Sequence, residues 1–524
     1  MNDERPDNPY LRQLYRALPR LLARFDCDPT SATYGFGDRT YWAWKLIDFP
    51  NATYQGAVNG VARLCKAELL PDWMSDDAAL KWIQMFMQGA KGTTARNGSL
   101  AEALPNEGSF CVTALVAADT LIAIDCLEDR LDTSQKAEAL DIVEPWINFL
   151  HGQDETHGMI SNHLAVAVLA LALWQKITGE DTAPRAKLFL DRILAHQSPE
   201  GWFCEYDGAD PGYQSWATSS LCQVHRLQPN WGLEQPLKTS LDFLQYFAHP
   251  DGSYGGIYGS RMTRFCFPAG FEALATEFPV SDLLAKNMRQ AIDGHALVTL
   301  DAIDEPNLVP LFNDYALAAV EYASRPKEET AHASSLPSDG PAFRKHFSEA
   351  GLFIDRGPRH YTIISTHKGG ALLHFEDDIC VLNDPGFVAK DTKDRIFTSQ
   401  FYDRNTKVDS QGDNLKITAN IRPVKRQLPT PFRFIILRIL SLTLFRSLRL
   451  GNAIKNILAK LLVTAKPRPI GTVVRTVTLG KNMKYTDRMD NESSEQQLTA
   501  IKAPRFSAIH MASQGYWQKS DNFK

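Results

Sequence analysis

The residues best suited to chemistry in this chain stand near the starts of three segments. Asn162 and His163 open SNHLAVAVLALALW, two polar residues ahead of an apolar run. Tyr213 and Gln214 open the segment that begins PGYQSW, and Tyr258, Arg261 and Arg264 lie in YGSRMTRF. Taken singly, each has a plainer reading: Ser161 or Asn162 as a helix N-cap, His163 as a first-turn histidine. Taken together, an amide, an imidazole, a phenol and two guanidinium groups suit one task. They can hold the carboxylate of a sugar acid while a proton leaves the adjacent carbon. That C–H is barely acidic beside a charged carboxylate, so groups that neutralise the developing enolate supply the largest part of the rate. A tyrosine beside cations can take a proton and return it to a leaving oxygen. The task calls for no metal and no cofactor.

These residues need elements to bring them together, and the stretch HQSPEGWFCEYDGADPGYQSW (196–216) indicates which. Pro199, Gly201, Gly208, Pro211 and Gly212 forbid continuous helix, so a loop joins two helices here. Its acids (Glu200, Glu205, Asp207, Asp210) and aromatics, with Trp202 and Tyr206 as candidate substrate contacts, are dense for a mere connector. Similar turns recur at 106–110, 155–160, 198–203 and 249–254, and their glycines (Gly108, Gly158, Gly201, Gly252) lie 50, 43 and 51 residues apart. That spacing is about one helical hairpin. Apolar positions such as Leu164, Val168 and Leu171 follow the helical period. Helices are predicted from 41–48 through to 312–323. The pattern predicts a ring of hairpins over 41–325, an incomplete α/α toroid, with all four turns on one rim. Residues 1–40 read as a helical extension packing outside the ring.

Residues 326–341 lose the apolar period and form a linker. From 342 to 524 the period becomes two, as in YTIIST (361–366), ALLHFE (371–376), TVVRTVTLG (472–480) and LTAIKAPRFSAIHM (498–511), which predicts an antiparallel β-sandwich. Within it, 431–462 reads as a basic amphipathic helical insert with Arg438, Arg446, Arg449 and Lys460 on one face. It either covers a sheet edge or lies on an anionic membrane surface.

Composition is that of an ordinary packed protein, with 44% hydrophobic and 22% charged residues. The eight cysteines show no paired spacing and read as buried free thiols of a reducing compartment. No apolar leader and no run of spanning length is visible, so a cytoplasmic, peripherally membrane-associated protein is expected. The net charge of −5 conceals a segregation: between Asn414 and Thr486 there are fifteen Lys and Arg and no acid. Such a field collects anions or an anionic membrane face; no nucleic-acid module accompanies it.

The layout of toroid, linker and sandwich resembles that of heparinase II/III-like and related alginate lyases. Asn162-His163, followed some fifty residues later by Tyr213, looks like their catalytic Asn-His and Tyr, and residues 347–386 resemble the first strands of their sandwich domain. The resemblance implies a polysaccharide lyase that cleaves a uronic-acid-containing glycan by β-elimination. Asn162 would neutralise the carboxylate with His163 or Arg261, and Tyr213 would act as base or acid. Trp202, Tyr206, Gln214, Tyr258, Arg261, Arg264 and His367 would bind an anionic polysaccharide or oligosaccharide. Relatives often supply a histidine from the sandwich domain; His367 and His374 are the candidates, although neither stands in a histidine-rich pattern. A uronate epimerase shares the proton abstraction, and a non-catalytic glycan-binding scaffold shares the cleft. EDDICVLND (376–384) has metal-site composition but alternates like a strand, and no phosphate-binding glycine loop or GxSxG is present.

Overall fold

The computed structural model describes residues 7–326, 335–425, 430–459, 466–490, 497–509 and 512–517. Residues 327–334 of the linker, 460–462 of the insert (with Lys460) and 510–511 of the last predicted strand lie outside the described residues.

The helical part comprises α1 (Pro9–Leu22), α2 (Arg39–Trp42), α3 (Val58–Lys66), α4 (Asp76–Thr93), α5 (Phe110–Cys126), α6 (Thr133–Gly152) and α7 (Ser161–Thr178). It continues through α8 (Ala183–Ala195), α9 (Pro211–Leu227), α10 (Glu234–Leu244), α11 (Ala269–Ala273), α12 (Pro279–Asp293) and α13 (Glu305–Ser324). The inner helices pack in the order α3, α5, α7, α9, α11, α13, and α13 returns to α3. Asn313 clasps that closure, accepting from the Gly60 N–H at 3.0 Å and donating to the Gly56 carbonyl at 2.8 Å. The inner helices α5 and α7 are apolar nearly all round because they are enclosed on every side; α7 is buried continuously from Leu164 to Trp174.

Two sequence expectations change. The helix expected at 41–48 stops at Trp42: the Trp42 indole is tied to the Arg24 carbonyl at 2.8 Å and Lys45 takes a left-handed φ of 53°. The last inner helix starts at Glu305 rather than 312, because Asp304 caps it and Pro306 favours its first turn. The N-terminal helix α1 packs on the outside of the inner ring, as a buried helix of its outer layer. Tyr10, Leu14, Leu18 and Leu21 are fully buried, and α1 packs on α12 and α13. Buried Glu272 of α11 completes that attachment by pairing with the Tyr10 hydroxyl (2.8 Å), Arg289 (2.6 Å) and Arg325 (2.6 Å).

Strands β1 (Phe343–Phe347), β2 (Leu352–Gly357), β3 (His360–Ser365), β4 (Ala371–Glu376) and β5 (Ile379–Asp384) form a five-stranded antiparallel meander. The second sheet holds β6 (Val388–Lys390), β7 (Ile396–Thr398), β8 (Lys407–Gln411), β9 (Asn414–Pro423), β10 (Gly471–Thr478), β11 (Lys484–Asp490) and β12 (Thr499–Ala500). Its order is β11-β10-β9-β7-β6-β12, with β8 also on β9. One face of the first sheet (Phe353, Ile364, Leu372) packs on Leu415, Ile417 and Val477 of the second. The other face joins the toroid core through Phe347, Ile354, Tyr361 and Ile363, with Phe347 edge-on to Phe243 and the Tyr361 hydroxyl on the Tyr246 carbonyl at 2.7 Å. The central strands β2, β3 and β4 are therefore buried on both faces, and an apolar junction of this kind holds the two parts together.

The insert between β9 and β10 forms α14 (Pro431–Leu442) and α15 (Leu448–Ala459). Of the strand predicted at 498–511 only Thr499–Ala500 pairs, on β6. The chain then crosses back to the ring, where the Gly515 carbonyl accepts from the Asp304 N–H and the Trp517 N–H donates to the Ala302 carbonyl, each at 2.8 Å.

Burial separates strong ion pairs from weak ones. Replacing Glu272 by Ala leaves two guanidinium groups and a phenol without their partner and is expected to cost about 3–5 kcal/mol in urea unfolding. Arg16→Ala, which removes a half-exposed 3.7 Å pair with Asp301, is expected to change it by less than about 1 kcal/mol.

Candidate active site

The inner helices α5, α7 and α9 begin on one rim, so their N–H ends and positive dipole ends lie on the same side of the ring and favour an anion there. Asn162 and His163 occupy the first turn of α7. Its neighbour is the turn before α9, joined to it where the Ser161 N–H and hydroxyl both donate to the Cys204 carbonyl (3.2 and 2.8 Å). His163, Tyr206, Tyr213 and Arg261 are partly open to solvent in this region.

Asp210 holds two of them in register. It caps α9, accepting the Tyr213 N–H at 3.1 Å, while its second oxygen accepts the Arg261 N–H at 2.8 Å. The Arg261 guanidinium lies 4.0 Å above the Tyr206 ring, a cation–π contact. Tyr206 takes a left-handed φ of 60°, stabilised by its N–H on the Met159 carbonyl at 2.7 Å. Strain of this kind persists only where surrounding bonds over-determine it. Burial pushes the Tyr206 phenol up to about 12, against the pull of Arg261. Burial likewise holds Tyr213 above its ordinary value, with Arg261 opposing and Asp210 adding. Tyr213 is thus a neutral proton donor at rest, and its hydroxyl meets Ser513 of the C-terminal tail, whose own hydroxyl donates to the Arg261 carbonyl at 3.2 Å.

Two buried acids stand behind the α7 pair in opposite protonation states. His163 Nδ1 is 2.7 Å from Glu155, whose other oxygen is 2.8 Å from His157 Nδ1. Burial pushes the Glu155 carboxyl up, but the hydrogen bonds from His157 and His163 outweigh it and hold the group well below the carboxylate range. An ionised Glu155 accepts a hydrogen bond from the Nδ1–H of His163, the tautomer that leaves the lone pair on Nε2. Glu205 behaves oppositely. Burial pushes it up to about 8, against hydrogen bonds from Asn162, so near neutral pH it keeps its proton. Glu205 accepts the Asn162 N–H at 3.1 Å and faces the Asn162 amide nitrogen at 2.9 Å, while Asn162 Oδ1 is buried without a partner. An amide turned over would let Oδ1 accept the Glu205 proton and would free its N–H donors for a ligand.

Several expected contacts are not in the cleft. Trp202 is buried and donates to Glu200 at 3.1 Å; Glu200 in turn accepts the Glu349 and Ala350 N–H groups of the β1–β2 turn (3.0 and 2.9 Å). Gln214 is fully buried, spanning the Gly201 carbonyl and Ser240 hydroxyl. Tyr258 is fully buried against Phe247, with its hydroxyl 2.9 Å from His249 Nε2. Arg264 is buried on the far side of its loop, lining a separate cavity of about 1240 Å³ with Asp251, Asp384 and Arg505. These four are positioning and core residues: the helical turn of α9 points Gln214 into the ring, and the loops fold Trp202, Tyr258 and Arg264 inward, away from the rim. His367 is buried against Tyr402 at 3.2 Å, and burial with nearby Arg404 pulls it down to about 4. His374 is enclosed by Thr362 and Glu376.

The sandwich domain instead contributes Lys368. It is buried, donates to the Ile257 and Gly259 carbonyls (3.1 and 2.9 Å) and so braces the loop that carries Arg261. Burial pulls it down to about 7, opposed by Asp210. Sequence reasoning missed Glu155, Lys368 and Ser513 and gave Asp210 and Glu205 no role. Asp210 before Pro211 has the form of a helix cap and was the readable signal; Lys368 and Ser513 had none. Among the described residues no group of three or more His, Cys, Asp or Glu side chains is arranged to hold a metal ion.

No protein-family profile and no curated protein matches the sequence. Solved structures do match. The chondroitin AC lyase of Streptomyces coelicolor A3, solved in complex with chondroitin sulphate, shares 11% identity at a TM-score of 0.54, over 92% of this chain and 66% of its own. Heparinase III gives 0.49 at 11% identity, over 94% of this chain and 79% of that one. A sugar epimerase from a ruminal bacterium gives 0.44 at 13%, over 60% of this chain and 98% of that one. The chain has the fold of an α/α toroid polysaccharide lyase. It spans just under two thirds of the chondroitin lyase's length.

The state of Glu205 is measurable. Its folded value lies above the unfolded value of about 4, so the stability it contributes is full below about pH 4 and is lost as pH rises to about 8. Glu205→Gln mimics the protonated acid. Denaturation midpoints compared across that window are expected to fall less steeply for the variant; parallel profiles would show that Glu205 is already ionised.

Proposed function

We propose that the protein is a polysaccharide lyase that cleaves a uronic-acid-containing glycan by β-elimination. The observation that carries this reading is the convergence of His163, Tyr213 and Arg261 beside the Asn162 amide on one anion-favouring rim. Each step has a group suited to it. The uronate carboxylate is held by the Asn162 amide and the Arg261 guanidinium, which lowers the cost of charge as the adjacent C–H breaks. His163 Nε2 takes that proton, with Glu155 stabilising the imidazolium that forms. The electron pair left on carbon becomes the new C=C bond as the C–O bond to the neighbouring sugar breaks. Tyr213 gives its proton to the departing oxygen, and Arg261 stabilises the phenolate until a proton is returned. The fold likeness to a lyase solved with chondroitin sulphate supports an acidic glycan as the substrate class. An epimerase would use the same first step and return a proton to the carbon without expelling the sugar.

A panel of uronate-containing polysaccharides incubated with the protein is expected to develop the ultraviolet absorbance of an unsaturated uronate. Tyr213→Phe is expected to lower that turnover by about 10²–10⁴-fold with an unchanged melting profile. Solvent deuterium entering the sugar without absorbance would identify an epimerase. Neither signal with any member of the panel, or a fully active Tyr213→Phe, would remove the lyase reading.

A further inference from the structure

The insert carries an apolar face that nothing in the described chain covers. On α14, Phe432 (71% exposed), Ile435 (58%), Ile439 (56%) and Leu442 (55%) recur at helical spacing on one side, and Ile457 of α15 is 59% exposed. Three other contacts anchor the insert. Arg438 pairs with Asp48 at 2.6 Å, Phe445 is buried at the bend, and the Ser441 carbonyl accepts from Asn106 at 3.1 Å. Apolar area of this extent at the surface marks an interaction site.

We propose that this face docks the protein on an anionic lipid surface. Charge selects that occupant. The segment 414–486 has fifteen basic residues and no acid; Arg422, Arg438 and Arg475 pair with acids from other segments, whereas Arg433 and Arg446 are exposed beside the apolar side chains. A second copy of the chain would oppose two such basic segments, whereas anionic headgroups neutralise them. Length decides how it binds. The 12 residues of α14 extend roughly 18 Å, against a hydrocarbon thickness of about 30 Å. Among the described residues no helix is long and apolar enough to cross a membrane, so α14 lies in the interface plane. Asn106 belongs to the rim turn before α5, so the docked surface runs beside the mouth of the cleft. The proposal is independent of the lyase reading.

Flotation of the full chain with vesicles of phosphatidylcholine and phosphatidylglycerol tests it, alongside pure phosphatidylcholine vesicles and sedimentation without lipid. The wild type is expected to float with the anionic vesicles and to stay at the bottom with the neutral ones. The triple variant Phe432→Ser, Ile435→Ser, Ile439→Ser, which removes only exposed side chains, is expected to lose flotation while keeping its melting temperature. Wild type that never floats, a triple variant that floats as well, or equal flotation on neutral vesicles would overturn the proposal. A wild-type dimer split by the triple variant would overturn it too, in favour of a second copy as the occupant.

Discussion

The geometry of the cleft rests on one buried carboxylate. Asp210 ends the third rim turn, starts α9, and accepts N–H groups from two separate segments, Tyr213 at 3.1 Å and Arg261 at 2.8 Å. The phenol and the guanidinium belong to different hairpins, and no helix packing by itself would set their separation to within an ångström. Burial pushes Asp210 up, and backbone N–H groups oppose that shift, as expected of an acid whose desolvation is offset by hydrogen bonds. Gly259 allows the approach, since a Cβ there would lie 2.7 Å from an Asp210 oxygen. Pairing in the backbone rather than through long side chains makes the arrangement rigid.

Around that point the two domains act as one support. The central strands of the first sheet are enclosed by the toroid on one face and the second sheet on the other, and polar anchors cross the junction in both directions. Glu200 reaches from the ring to cap the β1–β2 turn, and Lys368 reaches from the sandwich to the carbonyls of Ile257 and Gly259. The loop carrying Arg261 is therefore held from beneath by Asp210 and from above by Lys368. A buried lysine spending its protons on backbone carbonyls is a positioning residue: its charge is poorly solvated, and its hydrogen bonds shape the loop.

The site also divides its acids by environment. Glu155 lies between two imidazoles and stays charged, whereas Glu205, against an amide and a backbone N–H, keeps its proton to about pH 8. Identical side chains thus serve a histidine and an asparagine differently, one as a counter-ion and the other as an orienting hydrogen-bond partner. The helix N-termini on this rim add a fixed field that favours anionic ligands without placing a further charge in the cleft.

Much of the architecture was legible from periodicity, because burial imposes it directly. Enclosed helices must be apolar on all sides, as α7 is, and the change from a helical to a two-residue period separates ring from sandwich. The repeated glycine turns likewise marked the rim, and Asn162, His163, Tyr213, Tyr206 and Arg261 were readable because they follow those turns. What the chain could not announce is which way a rim residue points once helices pack. Gln214 follows Tyr213 directly, yet one residue of helix turns it by about a hundred degrees into the core; Arg264, three residues after Arg261 on a loop, faces another cavity. Glu155, Lys368 and Ser513 join the cleft across 8, 111 and 252 residues to His163, Ile257 and Arg261. Composition and spacing act along the chain, so they determined the elements and their order. Long-range hydrogen bonds act through space, so only the tertiary structure decided which side chains share the site.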